Sequence, residues 1–330
     1  MEHRPLGGTK LSVSVMGFGC GAVGGLMVRG SAADQERAVA RAIELGISYF
    51  DTAPAYGDGA SESNLGRVLA RLRPNIALGT KFRVAGVPAA GIEAAIAASL
   101  EASLRRLGRD TVDLFQLHNP IAASGAGTLA PEVVIAHVLP ALARLREQGK
   151  FGFAGFTAVG ETAALHRVIA EGGAATAQVA YNLLNPSAGR AVGAGYPGQD
   201  YGDVLGRARG AGLGVIGIRV LAGGALSGSE ERHPIAAERV VPIGSGADYR
   251  SDVRRAQAFV ALAREAGLAG PTELAIRFAI SHPAMSTAMV GLATLEQLEL
   301  AGAAAERGPL PEALLGRIAA IEDGFVGEPR

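Results

Sequence analysis

Eight short apolar runs recur along the chain, at 13–18, 47–50, 76–78, 112–117, 151–156, 176–180, 214–218 and 286–290. Each is followed by a stretch whose apolar positions return every three to four residues, which predicts helices near 34–45, 61–72, 91–107, 131–148, 161–171, 200–211, 251–282 and 294–306. The interval 251–282 is long enough for two helices. Several stretches carry a polar start and a glycine stop, as from Asp34 to Gly46, or a polar first turn, as at Ser61 and Asn64. Eight alternating βα units imply a parallel sheet, and eight is the number that closes such a sheet into a barrel. The expected fold is therefore a single α/β domain, a (β/α)8 TIM barrel over 1–330 with long loops at its C-terminal face. An accessory helix is expected near 311–323. The longest irregular segments, 118–130, 185–199 and 222–250, all follow strands, so they should crowd the rim where such barrels bind substrate.

Composition supports one compact body: 48% of residues are hydrophobic and 19% charged, and no stretch has the polar make-up of a disordered linker. Basic and acidic residues balance at thirty-one each, with no basic stripe for a nucleic acid and no polybasic tail for a membrane. The one cysteine, Cys20, has no disulfide partner in the chain, and no leader-like apolar core follows the first ten residues. A cytoplasmic protein without nucleic-acid or membrane partners is the expectation. Gly19-Cys20-Gly21-Ala22-Val23-Gly24 spells the G-x-G-x-x-G pattern of dinucleotide-binding sheets. Leu26 to Ala33 does not read as a helix opening at the third glycine, and the βα alternation continues past six strands, so the pattern does not by itself assign that fold.

Four titratable side chains fall at strand ends. Asp51 closes the second run with Tyr56 just beyond it, Lys81 closes the third, and His118 follows the fourth. Neighbouring parallel strands lie ~4.8 Å apart, so Asp51, Lys81 and His118 should converge on one patch with Tyr56 over it. A phenol becomes a useful acid or base near neutral pH when an adjacent cation favours its anion; Lys81 can be that cation, Asp51 can orient it, and His118 can hydrogen-bond a carbonyl oxygen. Only three of the thirty-one basic residues are lysines, at positions 10, 81 and 150, so a compact ammonium at this strand end stands out. Taken singly, Asp51 also suits a turn, Tyr56 a buried aromatic, Lys81 an ion pair and His118 a turn before Asn119-Pro120. Their coincidence is what points to a reaction site.

With these residues in view, the chain resembles the aldo-keto reductase superfamily almost end to end. The resemblance is carried by Arg4-Pro5-Leu6-Gly7, Phe50-Asp51-Thr52-Ala53 with Tyr56-Gly57, Glu62-Asn64-Leu65-Gly66, Thr80-Lys81, Asp113-Leu114 with His118, Leu145-Gly149-Lys150 and Gln297-Leu298. It implies an NAD(P)-dependent oxidoreductase that moves a hydride between a nicotinamide cofactor and a small carbonyl compound or alcohol. Asp51, Tyr56, Lys81 and His118 would form its tetrad, with Tyr56 as general acid or base and no metal. Residues 152–157 and 289–291 look closest to the sugar and small-aldehyde dehydrogenase branch, and the pocket walls are expected from Phe18, Phe82 and the three long loops.

The resemblance also implies a cofactor-binding set: Cys20, Gly21, Asp51, Thr157, Gln178, Ile218, Arg219, Leu221, Gly291, Ala293, Thr294 and Gln297. Several of these depart from the family's pattern. Thr157-Ala158 stands where the family has Ser-Asn for the carboxamide, whereas Gln178 matches. Ile218-Arg219 stands for a ring-stacking tyrosine and a serine, so Arg219 is expected at the pyrophosphate. Ala293 occupies a position where NADP-preferring members carry Arg or Lys, which tilts the expectation toward NAD or dual use of NAD and NADP. Two other readings carry less: a nucleotide-binding redox-sensing regulatory subunit on the same fold, and a metal-dependent barrel hydrolase, for which the strand ends offer no His-x-His or comparable ligand cluster.

Overall fold

The computed structural model describes residues 1–327. Ten strands form in chain order: β1 (His3–Pro5), β2 (Ser12–Ser14), β3 (Met16–Gly19), β4 (Tyr49–Asp51), β5 (Ala77–Phe82), β6 (Val112–Leu117), β7 (Phe151–Ala158), β8 (Thr176–Ala180), β9 (Gly214–Ile218) and β10 (Met285–Gly291). Strands β3 to β10 pair in parallel, each with the next, and β10 returns to β3, closing the expected eight-stranded barrel.

The first apolar run, expected as one strand, is divided. Residues 12–14 pair antiparallel with 3–5 as a hairpin, and only Met16 onward enters the barrel. Ser14 causes the break, since its hydroxyl turns back to donate to Met16 O (2.6 Å) and accepts from Ser48 N (2.9 Å). The hairpin plugs the N-terminal mouth: Leu6 and Val13 pack with Tyr49, Leu114, Ile216 and Met289 in a small core of their own. Two interior glycines make room for that filling. A Cβ at Gly17 would stand 2.4 Å from Met289 Sδ, and one at Gly79 would stand 2.6 Å from Tyr49 Oη.

The helices fall close to where their spacing predicts. Ser31 caps Ala32–Glu44 by accepting from Asp34 N (3.1 Å), and the interval 251–282 does hold two helices, Tyr249–Glu265 and Pro271–Ser281. The accessory helix is Glu312–Asp323. Two expectations need correction. The helix expected at 131–148 contains a π-turn over Val134–Val138, because Pro140 has no N–H to continue the regular ladder. After the third glycine of the early motif a single helical turn, Leu26–Arg29, does form.

Candidate active site

The barrel puts Asp51 at the C-terminal end of β4, in register with Gly79 of β5, and Lys81 two residues further along that strand. Residues 52–60 then turn tightly: Tyr56 N donates to Ala53 O (3.1 Å) and Ala60 N to Gly57 O (2.9 Å), with Gly57 at φ +63°, a left-handed conformation that favours glycine. This turn carries Tyr56 over the strand ends. His118 is set from the other side, its backbone N–H donating to Phe82 O (2.8 Å).

Lys81 is fully buried, and its ammonium bonds three groups at once: the Asp51 carboxylate at Oδ1, Thr52 O (2.9 Å) and Tyr56 Oη (3.2 Å). Burial alone would lower its pKa, but the charge of Asp51 and the adjacent Tyr56 hydroxyl outweigh that and hold it up at about 12. It is an ammonium throughout the neutral range. The second oxygen of Asp51 accepts from Gln178 Nε2 (2.7 Å), Tyr49 Oη (2.8 Å) and Gln116 Nε2 (3.2 Å), so four donors converge on one buried carboxylate. Burial, with the Asp51 charge and its hydrogen bond next, drives the Tyr49 hydroxyl well above the ordinary tyrosine range and keeps it a donor. His118 lies edge-on to Tyr56 with ring centroids 5.6 Å apart. Burial first, then the charges of Lys81 and Arg83, push its pKa down to about 2, so the imidazole is neutral.

These groups open on a cavity of about 540 Å³. Asp51, Tyr56, His118, Thr157, Gln178 and Ile218 line it near the tetrad; Gly21, Arg219, Leu221, Gly291, Ala293 and Gln297 line it further out. Two residues expected at the cofactor do not reach it. Cys20 is buried, with its side chain toward Phe18 O, and the Thr294 hydroxyl caps the following helix by accepting from Gln297 N (3.2 Å). The expected pocket walls are also revised. Phe18 stacks on Phe50 and Phe82 packs on Phe115 in the buried core, because both point outward from the barrel toward the helices. No residue of 185–199 lines the cavity; that segment is tied to itself, with Asn185 Nδ2 and Ser187 Oγ donating to Gln199 O. Gln178, expected at the carboxamide, lines the cavity with its amide nitrogen bonded to Asp51.

Among the described residues, three buried polar atoms of lining side chains have no partner: His118 Nδ1, Thr157 Oγ1 and Arg219 Nη1. Arg219 also sits at φ +57°, which costs a non-glycine residue ~1–2 kcal/mol, and Asn182 Nδ2 holds its carbonyl in that turn (2.9 Å). These unpartnered atoms and the strained turn gather at the cavity wall, where a polar ligand would satisfy them. Across the cavity runs a strap from the 222–250 segment that the sequence reading located without its contacts. Arg232 donates to Ala237 O (2.6 Å), Gly223 O (2.8 Å) and Val23 O (3.3 Å), Arg29 Nε donates to Ile235 O (2.6 Å), and Ala237 N donates to Val23 O (3.0 Å). The strap thereby joins the loop after β9 to the loop after β3. Tyr49 and Gln116 beneath Asp51 also went unnoticed; the signal available was their position two residues before strand-end groups, which puts them on the same inward face.

Among the described residues no three His, Cys, Asp or Glu side chains stand together as a metal site, and no helix is long and apolar enough to cross a membrane. A model of the aldo/keto reductase family matches residues 15–323. L-galactose dehydrogenase of Arabidopsis thaliana is 29% identical over 310 residues, 91% of this chain and 86% of that protein. The aldo-keto reductase YhdN of Bacillus subtilis is 34% identical over 135 residues, 36% of this chain and 38% of that protein. Among solved structures, the holo form of an aldo-keto reductase from Bacillus halodurans superposes with a TM-score of 0.73 over 99% of this chain and 98% of that one, at 22% identity, a likeness of fold.

Proposed function

The chain belongs to the aldo/keto reductase family, oxidoreductases of carbonyl substrates that use a nicotinamide cofactor, and on that premise we propose that it interconverts a small aldehyde or sugar and its reduced or oxidised partner with Tyr56 as the proton-transfer group. The observation that carries this reading is the Lys81 ammonium, buried and shared between Asp51 and Tyr56 Oη. Tyr56 Oη accepts a hydrogen bond from that ammonium and faces the cavity, so it stands where it can give its proton to a developing alkoxide and recover it in the reverse direction. Asp51 fixes the ammonium, and neutral His118 can donate to the same carbonyl oxygen without adding charge. The sugar assignment draws on the likeness to L-galactose dehydrogenase.

When bound, the nicotinamide supplies or accepts the hydride. The orphaned atoms suit such a dinucleotide: Thr157 Oγ1 for an amide and Arg219 for a phosphate, with Ile218 offering an aliphatic wall for the ring. At the far end Ala293 brings no cation, its N–H is already bound by Gln297 Oε1 (2.8 Å), and Glu296 adds an acid to the first helical turn. A further phosphate on the adenosine ribose finds no obvious partner there, which favours NAD over NADP.

Tyr56→Phe is expected to lower kcat by ~100- to 10,000-fold while the affinity for dinucleotide, followed by the nucleotide's own fluorescence, stays within about twofold. Near-normal turnover by that variant ends the assignment. Parallel titration of the wild type with NADH and NADPH checks the cofactor: NADH should bind at least about tenfold tighter, and tighter NADPH binding refutes the reading of Ala293 and Glu296.

A further inference from the structure

We propose that the substrate end of the cavity is built for a carbonyl compound that also carries a carboxylate, an aldehyde acid or an acidic aldose, with Arg83 as the residue that holds it. The inference rests on the placement of Tyr56 and His118 at the substrate carbonyl.

Side chains alternate along an extended strand, so Arg83, two residues beyond Lys81, leaves β5 toward the same side as the ammonium and stands at the rim above it. Its backbone is pinned on both sides. Phe82 O accepts from His118 N (2.8 Å), Val84 N donates to Asn119 Oδ1 (2.9 Å), and Asn119 Nδ2 in turn fastens the outer loop at Gly127 O (2.9 Å). The Arg83 side chain thus springs from a backbone zipped to the segment that carries His118. Its side chain is exposed to the cavity mouth, which it lines with Tyr56 and His118, and it is close enough to depress the protonation of His118.

Charge in the cavity is otherwise accounted for. Lys81 is matched by Asp51, and Glu231 lies on the strap beside Arg232. Arg232, spent on three carbonyls, and Arg219 both stand against the Gly223-Gly224 turn, where the two phosphates of a dinucleotide would balance them. Arg83 alone remains at the end where the carbonyl reacts. Among the described residues its guanidinium has no ion pair and no hydrogen bond, in a chain whose formal charge is zero. A planar fork with free donors next to a neutral imidazole is suited to a carboxylate, which it can bind through two parallel hydrogen bonds. A neutral sugar or aldehyde would leave that charge unused.

The test is a comparison of matched substrates, D-glucuronate against D-glucose in oxidation and succinic semialdehyde against butanal in reduction, with the dinucleotide shown by titration to be bound. In at least one pair the wild type should favour the acid by about tenfold in kcat/KM, the gain of one charge-assisted contact in a partly solvated mouth. Arg83→Met should lose that preference through a raised KM for the acid, and Arg83→Lys should restore part of it. Equal or better use of the neutral partner in both pairs overturns the proposal, as does unchanged discrimination in Arg83→Met or turnover of neither acid with dinucleotide bound. An absence of dinucleotide binding overturns instead the reading of the site on which it rests.

Discussion

Tyr49→Phe removes one hydroxyl and nothing else from the floor of the site. Tyr49 is fully buried, and its Oη donates to Asp51 Oδ2 at 2.8 Å, beside Gln178 and Gln116 on the same oxygen. A hydrogen bond to a charged acceptor contributes ~1.5–3 kcal/mol; because two amide donors remain, the low end applies, and ~1.5 kcal/mol in a chain of this length lowers Tm by about 2–4 °C. The same deficit at the carboxylate that orients Lys81 should lower kcat by roughly tenfold if it is felt in the transition state, with dinucleotide affinity unchanged. Tyr201→Phe is the matched control, since the Tyr201 hydroxyl is also buried but has no partner among the described residues, and its removal lifts an unsatisfied group. Thermal unfolding and steady-state rates of the two variants decide the matter. Equal losses of Tm, or a Tyr49→Phe enzyme with wild-type kcat, would refute the view that the floor network positions the catalytic pair.

Two further changes probe the roof and its supports. A Cβ at Gly25, which holds φ +90°, would stand 1.9 Å from Ile235 O, so Gly25→Ala should push the strap outward and speed dinucleotide release by about an order of magnitude in stopped-flow chase; an unaltered release rate counts against the strap as a retaining device. Asp252 is buried, and burial raises its pKa to about 6 despite Ser245 and Arg255. The folded carboxyl therefore keeps its proton between about pH 4 and 6, where the unfolded chain has lost it, and the wild type loses stability as pH rises through that window. Asp252→Asn should gain on the wild type by up to ~2 kcal/mol from pH 4.5 to 7.5, and a pH-independent difference in denaturant midpoints would refute the sign.

The barrel was legible because both of its periods are written strongly. Each strand run is apolar on both faces, buried by core and helices alike, and each helix carries a one-sided stripe. The tetrad was legible for a related reason: strand ends are countable, so Asp51, Lys81 and His118 could be brought together without knowing any loop. What stayed hidden depends on contacts across the chain rather than along it. The outward turn of Phe18 and Phe82 follows from strand pleat, which a run of mixed residues does not reveal. The split after Ser14 depends on a hydroxyl finding Ser48, 34 residues away. Arg232 reads as one of many arginines until the strap brings it to Val23 O. Gln178 illustrates a residue recognised by its neighbours in sequence whose amide nitrogen is bonded to Asp51.

The distribution of these contacts divides the site into a rigid floor and a replaceable roof. A buried ion pair such as Lys81–Asp51 is stable only if the remaining lone pairs are satisfied, and breaking one partner commonly costs ~3–5 kcal/mol. The three neutral donors below Asp51 meet that requirement from three different strands, β4, β6 and β8, so the pair cannot shift unless the barrel itself does. The strap has no backing from a strand: over Arg232–Ala237 its ties to the loop after β3 are arginine-to-carbonyl bonds and one backbone bond, and Arg29 donates from an exposed position. Proton transfer needs atoms held within a few tenths of an ångström, whereas exchange of a dinucleotide needs a path through the roof. Polar contacts anchored in strands at the floor and in loops at the roof serve both requirements in one barrel.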